Sequence, residues 1–167
     1  MLHTVALLAL LTSPQVADAT LPPATAHVRY TLIGHGVQIY NCTASSAAPG
    51  AAFQWTLEGP EAALFDPATK QQVGTHTAGP TWTWNDGSAI TGKVLQKQPS
   101  PDPAAIPWLL LETHGSGDKT GALTGIAFVR RSNTQAGAAP ATGCDPTHGD
   151  NVLRVPYEAT YTFYSAQ

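Results

Sequence analysis

The chain has 167 residues, 43% apolar, 11% charged and 8% aromatic, with 15 glycines, 14 prolines, two cysteines and a formal net charge of −3. That length supports one domain with its own core, and the sparse, nearly balanced charge excludes a disordered acidic or basic tail and a surface that seeks polyanions. No apolar run reaches the roughly 18 residues of a membrane-spanning helix.

Val5 to Leu11 read V-A-L-L-A-L-L and are followed by small residues ending in Ala17-Asp18-Ala19, the form of a secretory leader with an A-x-A cleavage site. Thr12-Ser13-Pro14 breaks the run before it reaches ordinary helix length. Residues 1–19 are therefore expected to be a leader, and residues 20–167 a single β-rich domain that is secreted or periplasmic, with no membrane span after leader removal. A second small-x-small site, Ala24-Thr25-Ala26, would instead leave His27 at the terminus, where amine and ring together clamp copper if another histidine joins them. Pro22-Pro23 read better as a stiff lead-in to the first strand, which favours the earlier site.

Val28 to Ile33 and Val37 to Cys42 are short β-branched and aromatic runs around Gly34-His35-Gly36, and they read as a hairpin. Within the second run, Val37 and Ile39 share one face and Gln38 and Tyr40 the other. Ala44 to Gly50 carries nothing to bury and is expected to be a surface loop. Phe53, Trp55 and Leu57 alternate with polar residues up to Glu58-Gly59-Pro60, where proline should end the strand. Ala63 to Phe65 forms a further short strand, and Gln71 to Thr77 another, whose Gly74 marks a bulge or a close backbone approach.

Thr81 to Val94 contains Asp86-Gly87, which reads as a two-residue turn between paired strands. In that register Trp84 faces Ala89, Trp82 faces Thr91 and Thr83 faces Ile90, so both tryptophans lie on the face away from Ile90. That face is either core or a recognition surface. Ile106 to Leu111 is too continuously apolar for a half-solvated strand and too short for a helix, so it is expected at the centre of the core. His114 to Gly121 reads as a polar loop, Ile126 to Arg130 as a strand, and Ser132 to Asp150 as a loop rich in Gly, Ala and Pro. Leu153, Val155, Tyr157, Ala159, Tyr161 and Phe163 occupy alternate positions and demand a sheet face. About ten such segments with little helical periodicity give an all-β fold: an antiparallel β-sandwich or a partly closed β-barrel with long loops.

Cys42 and Cys144 are expected to form a disulfide in an exported chain. Gly74 to Trp82, read G-T-H-T-A-G-P-T-W, combines His76 with an aromatic neighbour and conformationally special residues. His76 is either a weak metal candidate or a ring satisfied by a backbone carbonyl. Asp86 either joins a site or caps its own turn. His35, His76, His114 and His148 form no H-x-H or H-E-x-x-H spacing, so no metal is assigned and no cofactor is expected. Glu58, Glu61, Asp66, Asp86, Glu112 and Glu158 supply acids without a spacing that pairs them. Basic residues are scattered apart from Arg130-Arg131, which disfavours a nucleic-acid partner.

Several of these segments resemble a family of exported proteins catalogued as domain of unknown function 3455: Gly36 to Cys42, Val73 to Trp82, Asp86 to Ser88, Ile106 to Leu111, Gly125 to Arg131, Cys144 and Val155 to Tyr164. The resemblance carries over His76, Gly79, Pro80 and Trp82 at the central motif and Cys42 with Cys144 as the cysteine pair. It implies export and brings no substrate, catalytic role or cofactor. The lead-in before Val28 departs from the family pattern.

Two functions are therefore expected to compete. The first is a noncatalytic exported binding or structural domain that presents His76, Trp82, Trp84 and Asp86 to an extracellular glycan, peptide or small molecule. The alternative is a secreted hydrolase or metal-dependent enzyme with a His76-centred site, which requires polar side chains converging in a concave pocket.

Overall fold

The computed structural model describes residues 18–166, so the leader expected over residues 1–19 lies outside the described residues except for Asp18 and Ala19. Eight strands follow in order: β1 (His27–Ala44), β2 (Phe53–Phe65), β3 (Gln72–Thr77), β4 (Thr81–Trp84), β5 (Ala89–Gln98), β6 (Trp108–Gly115), β7 (Ile126–Ala136) and β8 (Val152–Ser165). Each pairs antiparallel with its sequence neighbours, and β8 returns to β1, giving one closed barrel. Closure gives every strand a partner on both sides over part of its length and places alternate side chains of every strand inside, while β2 before Glu61 and β5 beyond Thr91 lie outside the β2–β3 and β4–β5 ladders.

The hairpin expected around Gly34-His35-Gly36 is instead the middle of the 18-residue strand β1. Neither glycine adopts a left-handed backbone. Their role is close packing: a Cβ on Gly36 would lie 2.1 Å from the Glu61 carbonyl oxygen, and one on Gly34 would lie 2.6 Å from the Tyr161 ring. Likewise β2 does not stop at Pro60. Glu58 forms a bulge, where Ile39 faces Gly59 and Tyr40 faces Leu57, and the strand continues. Pro60 lies just beyond the last β2–β3 pair, Glu61 with Thr77, so its missing N–H falls where β2 has only one neighbour. Gly74 is the expected close approach, with the Thr83 carbonyl oxygen 2.4 Å from where its Cβ would be.

The β4–β5 connection corrects the expected register by one residue. The Trp84 N–H bonds to the Ser88 carbonyl and the Gly87 N–H to the Trp84 carbonyl, so the loop is the three residues Asn85-Asp86-Gly87, with Gly87 at φ 86°. Trp82 consequently faces Ile90 and Thr83 faces Ala89. A one-residue slip exchanges the two faces, and Trp82 points into the barrel beside Ile90 rather than away from it.

β7 also extends past Arg131 to Ala136, which shortens the expected loop. The apolar run at Leu109 to Leu111 is continuous because β6 is covered on both faces. Leu109 and Leu111 point inward. Leu110, opposite Arg130 on the outer wall, is nevertheless buried. The segment Asp18–Thr20 lies over that wall: Asp18 pairs with Arg130, Arg130 Nε donates to Thr20 Oγ1 at 3.1 Å, and the Ala19 N–H donates to Gln98 Oε1 at 2.8 Å. Arg130 also stacks 5.4 Å above the Trp108 ring.

Candidate functional site

The two ends of the barrel differ. At the end where β4 finishes, Ile90, Leu123, Ile126 and the partly buried Tyr30 and Trp84 belong to the packed core. The loop between β6 and β7 is fastened there because Asp86 Oδ2 accepts the Ala122 N–H at 2.8 Å and Ser88 Oγ accepts the Leu123 N–H at 3.1 Å. At the other end, where β1 finishes, a cavity of about 330 Å³ enters the barrel. That volume is at the lower end of the roughly 300–1,000 Å³ range of small-molecule sites. Its inner wall includes Gln38, His76, Trp82, Leu111, Arg131 and Tyr161, and its rim includes Leu57, Val94, Lys97 and Pro107. Leu57 and Val94 are exposed large apolar residues.

His76 and Trp82 reach this cavity as a directly opposed β3–β4 pair. Their rings stack at 4.5 Å between centroids and 5° between planes, and Tyr161 meets the imidazole edge-on at 5.1 Å. Nδ1 of His76 lies 2.9 Å from the Thr81 carbonyl oxygen, which can only accept, so the proton sits on Nδ1 and Nε2 is left unprotonated. Burial drives its pKa down to about 3; the bond to Thr81 opposes this and the charge of Arg131 reinforces it. A ring so reluctant to charge is a poor proton acceptor near neutral pH. The reading of His76 as a histidine satisfied by a backbone carbonyl is therefore the one the geometry carries.

Arg131 enters from β7, opposite Leu109 on one side and Tyr161 on the other. It is only 9% exposed, and its Nε and Nη2 both donate to the Pro107 carbonyl, at 3.0 and 2.8 Å. A carbonyl dipole orients a guanidinium without neutralising it, and among the described residues no carboxylate lies within ion-pair distance of Arg131. Tyr161 and Tyr157 bond hydroxyl to hydroxyl at 2.9 Å, and burial pushes both phenols well above their usual range. Gln38 Nε2 and Trp82 Nε1 are buried donors with no acceptor at hydrogen-bond distance among the described residues, although Gln38 approaches the Tyr157 hydroxyl.

The structure thus brings two of the four expected ligand-binding residues together. His76 and Trp82 share the cavity, whereas Trp84 packs against Tyr30 at 4.8 Å near the opposite end. Asp86 caps its own turn, accepting from the Ser88 N–H and Oγ–H at 2.8 and 2.6 Å, and its pKa is lowered by the bond from the Ser88 hydroxyl first, then by those from the Ala122 and Ser88 N–H groups. Cys42 and Cys144 are joined, with Cα atoms 5.3 Å apart, which fastens the β7–β8 loop to β1 at the cavity end. The clustered exposed aromatics expected of a recognition surface are absent at Trp82, which is 1% exposed.

The remaining histidines do not converge. His35 pairs with Glu158 and His148 with Asp145, each in the half-exposed range, and His114 is exposed on β6. Among the described residues no group of three His, Cys, Asp or Glu is placed to hold a metal. Of the acids, Glu61 pairs with Arg154, Asp66 caps the turn after β2, and only Glu58 reaches the cavity rim. Gln38, Arg131 and Tyr161 were not among the expected site residues. The available signal was Arg131 two residues after Val129, a charge continuing an apolar strand face.

No curated protein and no solved structure gives a significant match to the chain. Residues 23–165 match the family model described as a protein of unknown function (DUF3455), which includes the Gly74 to Trp82 segment and both cysteines, and the chain belongs to that family.

Proposed function

We propose that this protein is an exported, noncatalytic carrier or sensor that holds a small, largely apolar molecule inside its barrel. The observation that carries the reading is the contrast between the ends: at one, the β6–β7 loop is fastened by Asp86 and Ser88 and leaves a smaller pocket of about 210 Å³ lined mostly by that loop, while the other admits a cavity of about 330 Å³ walled by Leu109, Leu111, Pro107 and aromatic faces. At roughly 30 Å³ for each water-sized group, that space accepts about ten non-hydrogen atoms. This favours a small molecule over a polysaccharide chain or a folded peptide. Export rests on the leader pattern and gains support from the disulfide, which persists in oxidising compartments.

Titration calorimetry with 1-decanol, an apolar molecule of the right size, tests the cavity. Saturable binding is expected, and Leu109→Trp, which fills the site from a partly buried position, should abolish it while leaving the β-sheet spectrum unchanged. Absence of binding to the wild-type chain by both 1-decanol and its carboxylate counterpart decanoate, or undiminished binding to a folded Leu109→Trp variant, would remove the reading.

A further inference from the structure

Resting on that cavity reading, we propose that the ligand is a monocarboxylate whose charged end is seated deep in the barrel against Arg131, with Gln38 and Trp82 as additional donors. Three independent features meet here. Arg131 is a buried cation whose guanidinium donates to the Pro107 carbonyl and lies beside the Tyr161 hydroxyl, with no carboxylate of the described residues paired to it. Gln38 Nε2 and Trp82 Nε1, on side chains each 1% exposed, have no acceptor at hydrogen-bond distance among the described residues, although Gln38 approaches the Tyr157 hydroxyl, and both side chains line the same cavity. Tyr161 ties the group together: it stands opposite Arg131 in the barrel register, 6.3 Å from the Trp82 ring, and its hydroxyl bonds that of Tyr157, beside Gln38.

An unpaired buried charge and unsatisfied buried donors are each unfavourable in a folded core, and together they define the complement of what binds. That complement is an oxygen acceptor carrying negative charge. A carboxylate matches on three counts: its two oxygens suit a planar guanidinium, one negative charge balances the one buried cation, and further lone pairs remain for the amide and indole N–H groups. A phosphate dianion would leave excess charge inside a largely apolar wall. The remainder of the ligand then points to the rim, where Leu57 and Val94 offer exposed apolar surface and Lys97 and Glu58 bring one charge of each sign.

The test compares decanoate with 1-decanol, which share a chain and differ at the head, by calorimetry at pH 7.5. Decanoate should bind at least tenfold more tightly than decanol to the wild-type chain. The ratio of the two affinities should collapse to within about twofold in Arg131→Met and recover in part in Arg131→Lys. If Arg131→Met fails to fold, Gln38→Leu and Trp82→Phe each remove one donor and should lower the ratio severalfold. Equal binding of the two compounds, or a ratio unmoved in these folded variants, overturns the carboxylate assignment while leaving the cavity reading intact. Failure of both compounds to bind overturns the cavity reading as well.

Discussion

Burial holds the His76 ring neutral down to about pH 3, although its bond to the Thr81 carbonyl acts in the opposite sense. In the unfolded chain the same ring takes up a proton near pH 6.5. Between those values the unfolded state binds more protons, so the contribution to stability is complete above about pH 6.5 and is lost as pH falls toward the folded value. Urea denaturation should show a loss on the order of 2 kcal/mol between pH 7.5 and 5 from this group. His76→Phe should flatten the profile across that interval, because the lowered carboxylates Asp66 and Asp86 begin to protonate only at more acidic pH. A profile equally steep in the variant would assign the titration elsewhere. Trp82→Ala should destabilise the fold by about 3–5 kcal/mol, read from denaturation midpoints, since it empties a core position rather than trimming a surface ring. At this scale His76 and Trp82 were legible because G-T-H-T-A-G-P-T-W sets unusual chemistry within nine residues. Gln38 was not: apolar Val37 and Ile39 were its neighbours, and preference for burying apolar residues would turn Gln38 outward. The barrel does the reverse because the register that turns Leu32 and Tyr40 inward carries Gln38 with them, into the wall of a largely apolar cavity.

The strands show where local pattern suffices and where it fails. In β8, Tyr157, Ala159, Tyr161 and Phe163 are buried as their alternation requires, because a regular strand has no way to break a period of two. In β4 and β5 the strands were legible and the register was not, since a three-residue loop closing on a left-handed Gly87 and a two-residue loop are both compatible with Asn-Asp-Gly. β1 was read as two strands because glycine pairs also serve turns. Gly36→Ala tests the packing explanation directly. An added methyl would collide with the β2 backbone at Glu61 and Ala62, which cannot yield as a flexible side chain can, so a loss of about 3 kcal/mol or outright failure to fold is expected. Thermal denaturation of Gly36→Ala close to the wild-type value would overturn the packing explanation. Gly87→Ala should be milder, about 1 kcal/mol, because its penalty is the left-handed backbone and a contact with the movable Lys119 side chain.

For the whole molecule, closure couples distant chain segments. The Cys42–Cys144 bond spans 102 residues, and restricting so long a loop in the unfolded state contributes up to about 4.7 kcal/mol on chain-entropy grounds. Replacing both cysteines with alanine should lower the urea midpoint by the equivalent of about 2–5 kcal/mol. An unchanged midpoint would mean that residual structure in the unfolded chain or strain in the folded one cancels that gain. What could be read along the chain was whatever neighbouring residues settle among themselves: strand alternation, turn-forming glycines, the cysteine pair and the histidine motif. The donor cluster is of another kind. It takes Gln38 from β1, Trp82 from β4, Arg131 from β7 and Tyr161 from β8, and assembles them through registers that hold only once β8 has closed on β1. Because a slip of a single residue in any strand turns its inward side chains to solvent, no local pattern fixes such a convergence, and the closed sheet alone confers it.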